Sequence, residues 1–147
     1  MKSNKEPVMI QQKDEIVDIP PNRIRYFGGA GKMLLPSPTT IAKVIKRIPE
    51  NKLLTTDLLR QELTDQFNVE GTCPVTTKKS LQYLANNAPE DVAYWRVLRP
   101  TGELMATYPG GTQGHASHLQ DEGFIIETNG KAAKVKDFRA NLVHLSK

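Results

Sequence analysis

Apolar side chains return at helical spacing in the first half of the chain. Ile41, Val44, Ile45 and Ile48 recur three and four residues apart and predict a helix. Ser37-Pro38 opens it, with a capping hydroxyl followed by proline at the first helical position, and Pro49 stops it. A second helix starts near Thr55-Thr56-Asp57 and turns Leu58, Leu59, Leu63 and Phe67 inward. A third follows Cys73-Pro74, carries Leu81 and Leu84 on its apolar side, and closes by Pro89.

Beyond Pro89 the period changes. Tyr94-Trp95-Arg96-Val97-Leu98 reads as an extended segment, Pro100-Thr101-Gly102-Glu103 as a turn, and Leu104-Met105-Ala106 as a short extended run. Tyr108-Pro109-Gly110-Gly111 is a second turn. Residues 112–122 read as a helix stopped by Gly123. Phe124-Ile125-Ile126 predicts a strand, Asn129-Gly130 a hairpin turn, and Ala132 to Val135 its partner. Asp137 caps a last helix carrying Phe138, Leu142 and Leu145. Residues 1–20 are polar, lack either period and end at Pro20-Pro21, so they read as a mobile arm before a single domain over 21–147. Three helices followed by strand-turn-strand predict an α+β fold. Its expected form is a mainly helical, winged helix-turn-helix-like domain with short β-hairpins.

Composition narrows the class. The chain has 147 residues, 38% hydrophobic and 24% charged, enough for one domain with a real core. Mean hydropathy is −0.46. No apolar run approaches the roughly 20 residues of a membrane span, and the start has no signal-type apolar core, so the expectation is a soluble, cytoplasmic protein without a membrane partner. The single Cys73 excludes an internal disulfide and a cysteine-rich zinc site. The net charge is +4. Its distribution says more: Arg23, Arg25, Lys32, Lys43, Lys46, Arg47, Lys52 and Arg60 face only Glu50 and Asp57 over 21–60. Clustered basic residues favour a polyanion, with nucleic acid first.

Three local constellations invite chemistry and fail on inspection. Gly31-Lys32 lies in the glycine-rich loop 26–36, but a phosphate loop needs glycine where Tyr26 stands and Ser or Thr where Met33 stands. His115, His118 and Glu122 share one helix face at spacings of three and four. The metalloprotease pattern is absent, so a polar, partly exposed face is expected, with no metal site and no cofactor. Cys73 lies between Thr72 and Pro74 with no histidine near it in sequence, and reads as a small core residue.

Five segments in order carry a family signal. They are Arg47-Ile48-Pro49-Glu50-Asn51-Lys52-Leu53-Leu54-Thr55-Thr56, then Tyr94-Trp95-Arg96-Val97-Leu98, Gly102-Glu103-Leu104, Tyr108-Pro109-Gly110-Gly111 and Leu119-Gln120-Asp121-Glu122-Gly123. Over about residues 47–124 they resemble the DNA-binding domain of the alkylguanine–DNA alkyltransferases and their alkyltransferase-like relatives. In that resemblance Tyr94 stands where the family has its nucleophilic cysteine, Trp95 at the activating histidine and Ala93 at the preceding proline. A phenol does not replace a poised thiolate, and an indole is no general base. The resemblance therefore implies no catalytic residue and no enzyme, but a DNA-binding protein that recognises alkylated bases in repair. Its implied lesion pocket is Tyr94, Trp95, Arg96 and Glu122, with Tyr94 stacking on a flipped base. Thr56 stands at the family's phosphate-rotating tyrosine and Lys78 at its base-displacing arginine. With Lys79 and Arg99 they form the implied DNA contacts. The implied partners are double-stranded DNA, alkylated or plain, and other repair proteins. Trp95 is expected to fill the vacated histidine space and donate its indole N–H to Glu122. Arg96 is either a phosphate contact or a buried partner of an acid. The competing class is a winged-helix interaction module that has lost DNA and binds a protein. A third is an enzyme working through Cys73 or an Arg96 pocket.

Overall fold

A computed structural model describes residues 13–87, 91–129 and 132–145. The fold is mixed α+β. Strand β1 (Glu15–Asp18) runs antiparallel to β2 (Lys32–Leu35), which pairs in parallel with β4 (Gly71–Thr72). The short helix α1 (Ile24–Phe27) lies between the first two strands in sequence. Helix α2 (Pro38–Ile45) is capped as its sequence predicts: the Ser37 hydroxyl accepts from Thr40 N at 3.3 Å. Asp14 adds to that cap, accepting from Ser37 N and from the Thr40 hydroxyl. Strand β3 (Leu54–Thr55) leads directly into α3 (Thr56–Phe67), and α4 (Pro74–Asn87) follows β4. Strand β5 (Val97–Leu98) pairs in parallel with β3. Helix α5 (Gly111–Asp121) precedes the antiparallel hairpin β6 (Ile126–Asn129) and β7 (Ala132–Val135).

The main core gathers the apolar faces of α2, α3 and α4. Ile41, Val44, Ile45, Leu59, Leu63, Leu81 and Leu84 are all buried there, as the helical spacing predicts. A second cluster joins Leu53, Leu98, Leu104, Leu119, Val135 and Phe138, with Trp95 packed against both. At ~25 cal/mol per Å² of apolar surface, each such leucine contributes about 1.5–3 kcal/mol.

Several sequence expectations change. The expected arm over 1–20 contains β1, so residues 15–18 are strand; the rest of the arm up to residue 12 lies outside the described residues. Its alternation is illegible because β1 is an edge strand, with Ile16 half exposed and only Val17 partly covered. The glycine-rich stretch 26–36 yields β2 in its second half, with Met33 and Leu34 buried. Leu58, expected inside, is 37% exposed; Glu62 takes a buried place instead, bonded to Arg47 at 2.8 Å. Leu104-Met105-Ala106 forms no strand: Leu104 N donates to Ala133 O and Met105 N to His115 Nδ1, while β5 pairs with β3. The C-terminal hairpin begins at Ile126 rather than Phe124, and Gly130 of its expected turn and the helix-ending Pro89 lie outside the described residues. The expected last helix is a single 3-10 turn, Phe138–Asn141. Asp137 is left-handed at φ 57° without capping it, and the chain then runs extended to pair Leu142 with Leu53.

Gly102 closes the turn after β5 at φ +87°, with the Phe138 ring where a side chain would go. A Cβ there would lie 2.3 Å from that ring. Gly102→Ala combines left-handed strain with overpacking and is expected to cost about 2–4 kcal/mol. Urea denaturation checks this; a loss below about 0.5 kcal/mol would contradict the fit of Phe138 against this turn.

Candidate functional site

Glu122 sits at the end of α5, with its side chain 8% exposed. Its Oε2 accepts from Trp95 Nε1 at 2.8 Å and from Arg96 Nε at 2.8 Å. Its Oε1 accepts from Asn51 N at 3.1 Å, and its main-chain oxygen accepts from Asn51 Nδ2. The expected Trp95 bond is therefore present. Arg96, left open between phosphate and acid, is the partly buried partner of an acid, and its Nη1 also donates to Ile48 O at 2.7 Å. Breaking a buried pair of this kind by removing one member costs about 3–5 kcal/mol.

Tyr94 differs from its expected role. The Tyr94–Arg96 segment is a 3-10 turn rather than a strand, so successive side chains rotate by about a third of a turn instead of alternating faces. Tyr94 and Trp95 consequently touch, with ring centroids 5.2 Å apart and edge to face. Tyr94 is 4% exposed, belongs to the main core and also packs edge-on against Tyr108 at 5.0 Å. It borders neither of the two cavities described below. Burial pushes its phenol pKa up.

A cavity of about 330 Å³ has Tyr108 in its lining. Helix α3 supplies Thr56 and Arg60, which are one helical turn apart and share a face. Helix α4 supplies Lys78 and Leu81. The segment after β5 supplies Arg99, Met105 and Tyr108. The β3–β5 ladder explains why distant residues meet here: Thr55 pairs with Leu98, so the next residues, Thr56 and Arg99, arrive together. Arg60, Lys78 and Arg99 border the cavity, and no carboxylate does. The Arg99 guanidinium lies 3.8 Å from Glu103 on the side of a neighbouring groove of about 520 Å³, which is bordered by α5 and the C-terminal hairpin. Ala106 and Arg99 form the ridge between the two.

The structure thus brings together Thr56, Lys78 and Arg99 of the expected DNA contacts. Lys79 is exposed on α4 outside the cavity. Trp95, Arg96 and Glu122 form a bonded unit that supports the site from behind rather than lining it. Sequence reasoning misses Arg60, Met105 and Tyr108. The four-residue step from Thr56 to Arg60 is an available signal for the first. Tyr108 reads in the sequence only as part of a turn.

His115 holds this loop in place. The expected polar, partly exposed face does not apply to it: the side chain is fully buried. Met105 N donates to Nδ1 at 2.9 Å, so Nδ1 is an acceptor and the proton sits on Nε2, which donates to Trp95 O at 2.8 Å. Tyr108 Oη donates to Val97 O at 3.1 Å. His118 stacks on Trp95 with centroids 4.2 Å apart. Cys73 is buried before α4. Burial pushes its thiol up, but bonds from Thr76, Val75 and Arg23 outweigh this and leave it below its ordinary value.

No protein-family model matches the chain, and no curated protein matches it. Among solved structures it is similar to S. pombe Atl1, an alkyltransferase-like protein, in complex with damaged DNA containing O6-carboxymethylguanine. The TM-score is 0.55 at 18% identity, over 73% of this chain and 94% of that chain. The fold is similar to that of an alkyltransferase-like protein. No helix among the described residues is long and apolar enough to cross a membrane.

Burial lowers the His115 pKa from 6.5 to about 4. The unfolded chain then binds the proton more readily than the folded one. Stability from this group is complete above pH 6.5 and is lost as pH falls toward 4, by roughly 3 kcal/mol in all. Urea denaturation across that range is expected to show the decline, and NMR titration to show His115 still neutral at pH 5. A His115 resonance titrating near its ordinary value would contradict the buried, doubly bonded tautomer.

Proposed function

We propose that this chain is a non-enzymatic DNA-binding protein of the alkyltransferase-like kind, which receives an extruded, alkylated base in the cavity between α3 and α4. The carrying observation is that cavity itself: Arg60, Lys78 and Arg99 converge on it without a carboxylate, beside an apolar wall of Leu81, Met105 and Tyr108. Its volume suits a small organic group. The cations suit the phosphates that flank such a base, and the apolar wall suits its faces. The Atl1 complex with damaged DNA supports the same assignment.

In this reading α3 and α4 act as a helix-turn-helix pair and the β6–β7 hairpin as the wing, with the protein working in the cytoplasm. Helix α4 approaches the duplex through Lys78 and Lys79, and Thr56 bonds a phosphate. Tyr94 braces Tyr108 from the core instead of stacking on the base. Repair proteins that act on the marked site are the expected protein partners. No group at the cavity supports alkyl transfer: the Tyr94 phenol is buried with a raised pKa, and Cys73 does not border the cavity.

Gel shifts with plain duplex and with the same duplex carrying an O6-alkylguanine test the assignment. Wild-type protein is expected to bind both in a salt-dependent way and the alkylated one about tenfold more tightly, within the ~1–3 kcal/mol of one base contact. Ala106 is exposed on the ridge of the cavity, so Ala106→Trp obstructs it without disturbing the core. That variant is expected to lose the preference for alkylated duplex and keep plain binding. A preference that survives would exclude this cavity. Absence of any duplex affinity would favour the protein-binding module instead.

The chemistry has its own check. The protein's mass is expected to be unchanged after incubation with alkylated duplex. A stoichiometric gain of one alkyl group would overturn the non-enzymatic assignment.

A further inference from the structure

The N-terminal unit presents an exposed basic and aromatic surface that the cavity does not use. Its helix α1 packs on β4 and on Cys73, the residue before α4. Phe27 covers Gly71 so closely that a Cβ at residue 71 would come within 2.2 Å of the ring. The Arg23 guanidinium lies 5.7 Å from the centre of the Phe27 ring. These contacts hold α1 against β4 and Cys73, and Val75 in the first turn of α4 is 52% exposed.

Arg25 and Tyr26 occupy the middle of α1. Arg25 is exposed and has no ion pair among the described residues. Tyr26 is 60% exposed, yet its ring is braced edge-on by Phe27, with centroids 4.9 Å apart at 89°. An exposed aromatic ring held in one orientation beside an unpaired guanidinium loses little entropy on contact. Segment 19–31 carries Arg23 and Arg25 and no carboxylate, and three acids outside it are engaged elsewhere. Asp18 pairs with Lys32 Nζ, Glu70 accepts from Lys32 N, and Asp14 caps α2. Segment 19–31 is therefore positive by itself, and it packs through Ile24 and Phe27 on Cys73, the residue before α4, which carries the exposed Lys78 and Lys79.

We infer that Arg25 and Tyr26 form a second DNA-backbone contact, which engages phosphates beyond the segment of duplex gripped by α4. The inference rests on the DNA-binding role proposed for α4. A guanidinium and a phenol are a suitable pair for a sugar–phosphate backbone: one neutralises charge, the other donates a hydrogen bond. Neither reads base sequence, so the patch adds affinity and reach without adding lesion selectivity.

The test compares wild-type protein, Arg25→Ala and the Arg25→Glu plus Tyr26→Ala double variant. Each is titrated with a short duplex and with one extended by about a helical turn, ~10 base pairs, on either side of the lesion. Wild type is expected to bind the extended duplex more tightly on one side only. The double variant is expected to lose that gain, and its log K against log salt slope to fall by about 0.9 for each phosphate it no longer neutralises. For a single phosphate, this makes the drop in affinity between 50 and 200 mM salt ~3.5-fold smaller. The preference for alkylated over plain duplex is expected to stay at the wild-type ratio. Both side chains are exposed, so melting temperatures are expected to match wild type and exclude unfolding as the cause. Wild-type affinity and salt slope in the double variant, while Lys78→Glu plus Lys79→Glu still weakens binding, would overturn the second contact and leave the α4 reading standing. A wild-type protein without salt-sensitive duplex affinity would overturn both.

Discussion

The Glu122 carboxylate is the joint on which the second half of the molecule turns. It accepts an indole N–H, a guanidinium N–H and a main-chain N–H from two segments that no shared secondary structure element holds together. Asn51 belongs to the loop before β3, Trp95 and Arg96 to the turn before β5, and Glu122 to the end of α5. A carboxylate in so dry a place is tolerable only with its acceptor sites filled and its charge balanced, and Arg96 provides the balance. Satisfying the acid therefore fixes the loop, the turn and the helix relative to one another.

The consequences reach the cavity through the backbone. With the Tyr94–Arg96 turn held, β5 meets β3 in a two-residue parallel ladder. A ladder this short carries little stability itself, but its register brings Thr56 and Arg99 to one place. His115 supplies the other wall by tying Met105 N to Trp95 O through its two ring nitrogens. The site is thus built from ordinary structural bonds with the polar groups of the supporting layer already satisfied. Its cations remain at the rim, where Arg60, Lys78 and Arg99 face no acid across the cavity.

The aromatic group behind the cavity explains why a tyrosine at residue 94 is compatible with the fold. Tyr94, Trp95, Tyr108, His115 and His118 pack as one cluster of edge-on and stacked rings. In the family that the sequence resembles, the positions of Tyr94 and Trp95 hold reactive groups. Here the two rings fill space in the core, while Tyr108 and Met105 line the cavity.

The sequence by itself determined the helices α2, α3 and α4, because each carries its own periodic apolar face and its own start signal. Ser37-Pro38 is the clearest of these, and its cap is formed as read. The order of helices and strand runs predicted the α+β class, and the resemblance over residues 47–124 named Thr56, Lys78 and Arg99, which the fold brings to one cavity, and the Trp95–Glu122 bond, which is formed. Only the tertiary structure decided the rest. Strand β1 takes its hydrogen bonds from β2, so its own four residues carry no readable alternation. Tyr94 turns into the core because a 3-10 turn, selected by the bonds of Trp95 and Arg96 to Glu122, replaces the extended run that β-branched and aromatic composition suggested. His115 is buried because two backbone groups far apart in sequence need a partner in the same dry place. Local pattern reports what a segment can satisfy within itself. Where a polar group must find its partner tens of residues away, the pairing exists only once the chain has folded.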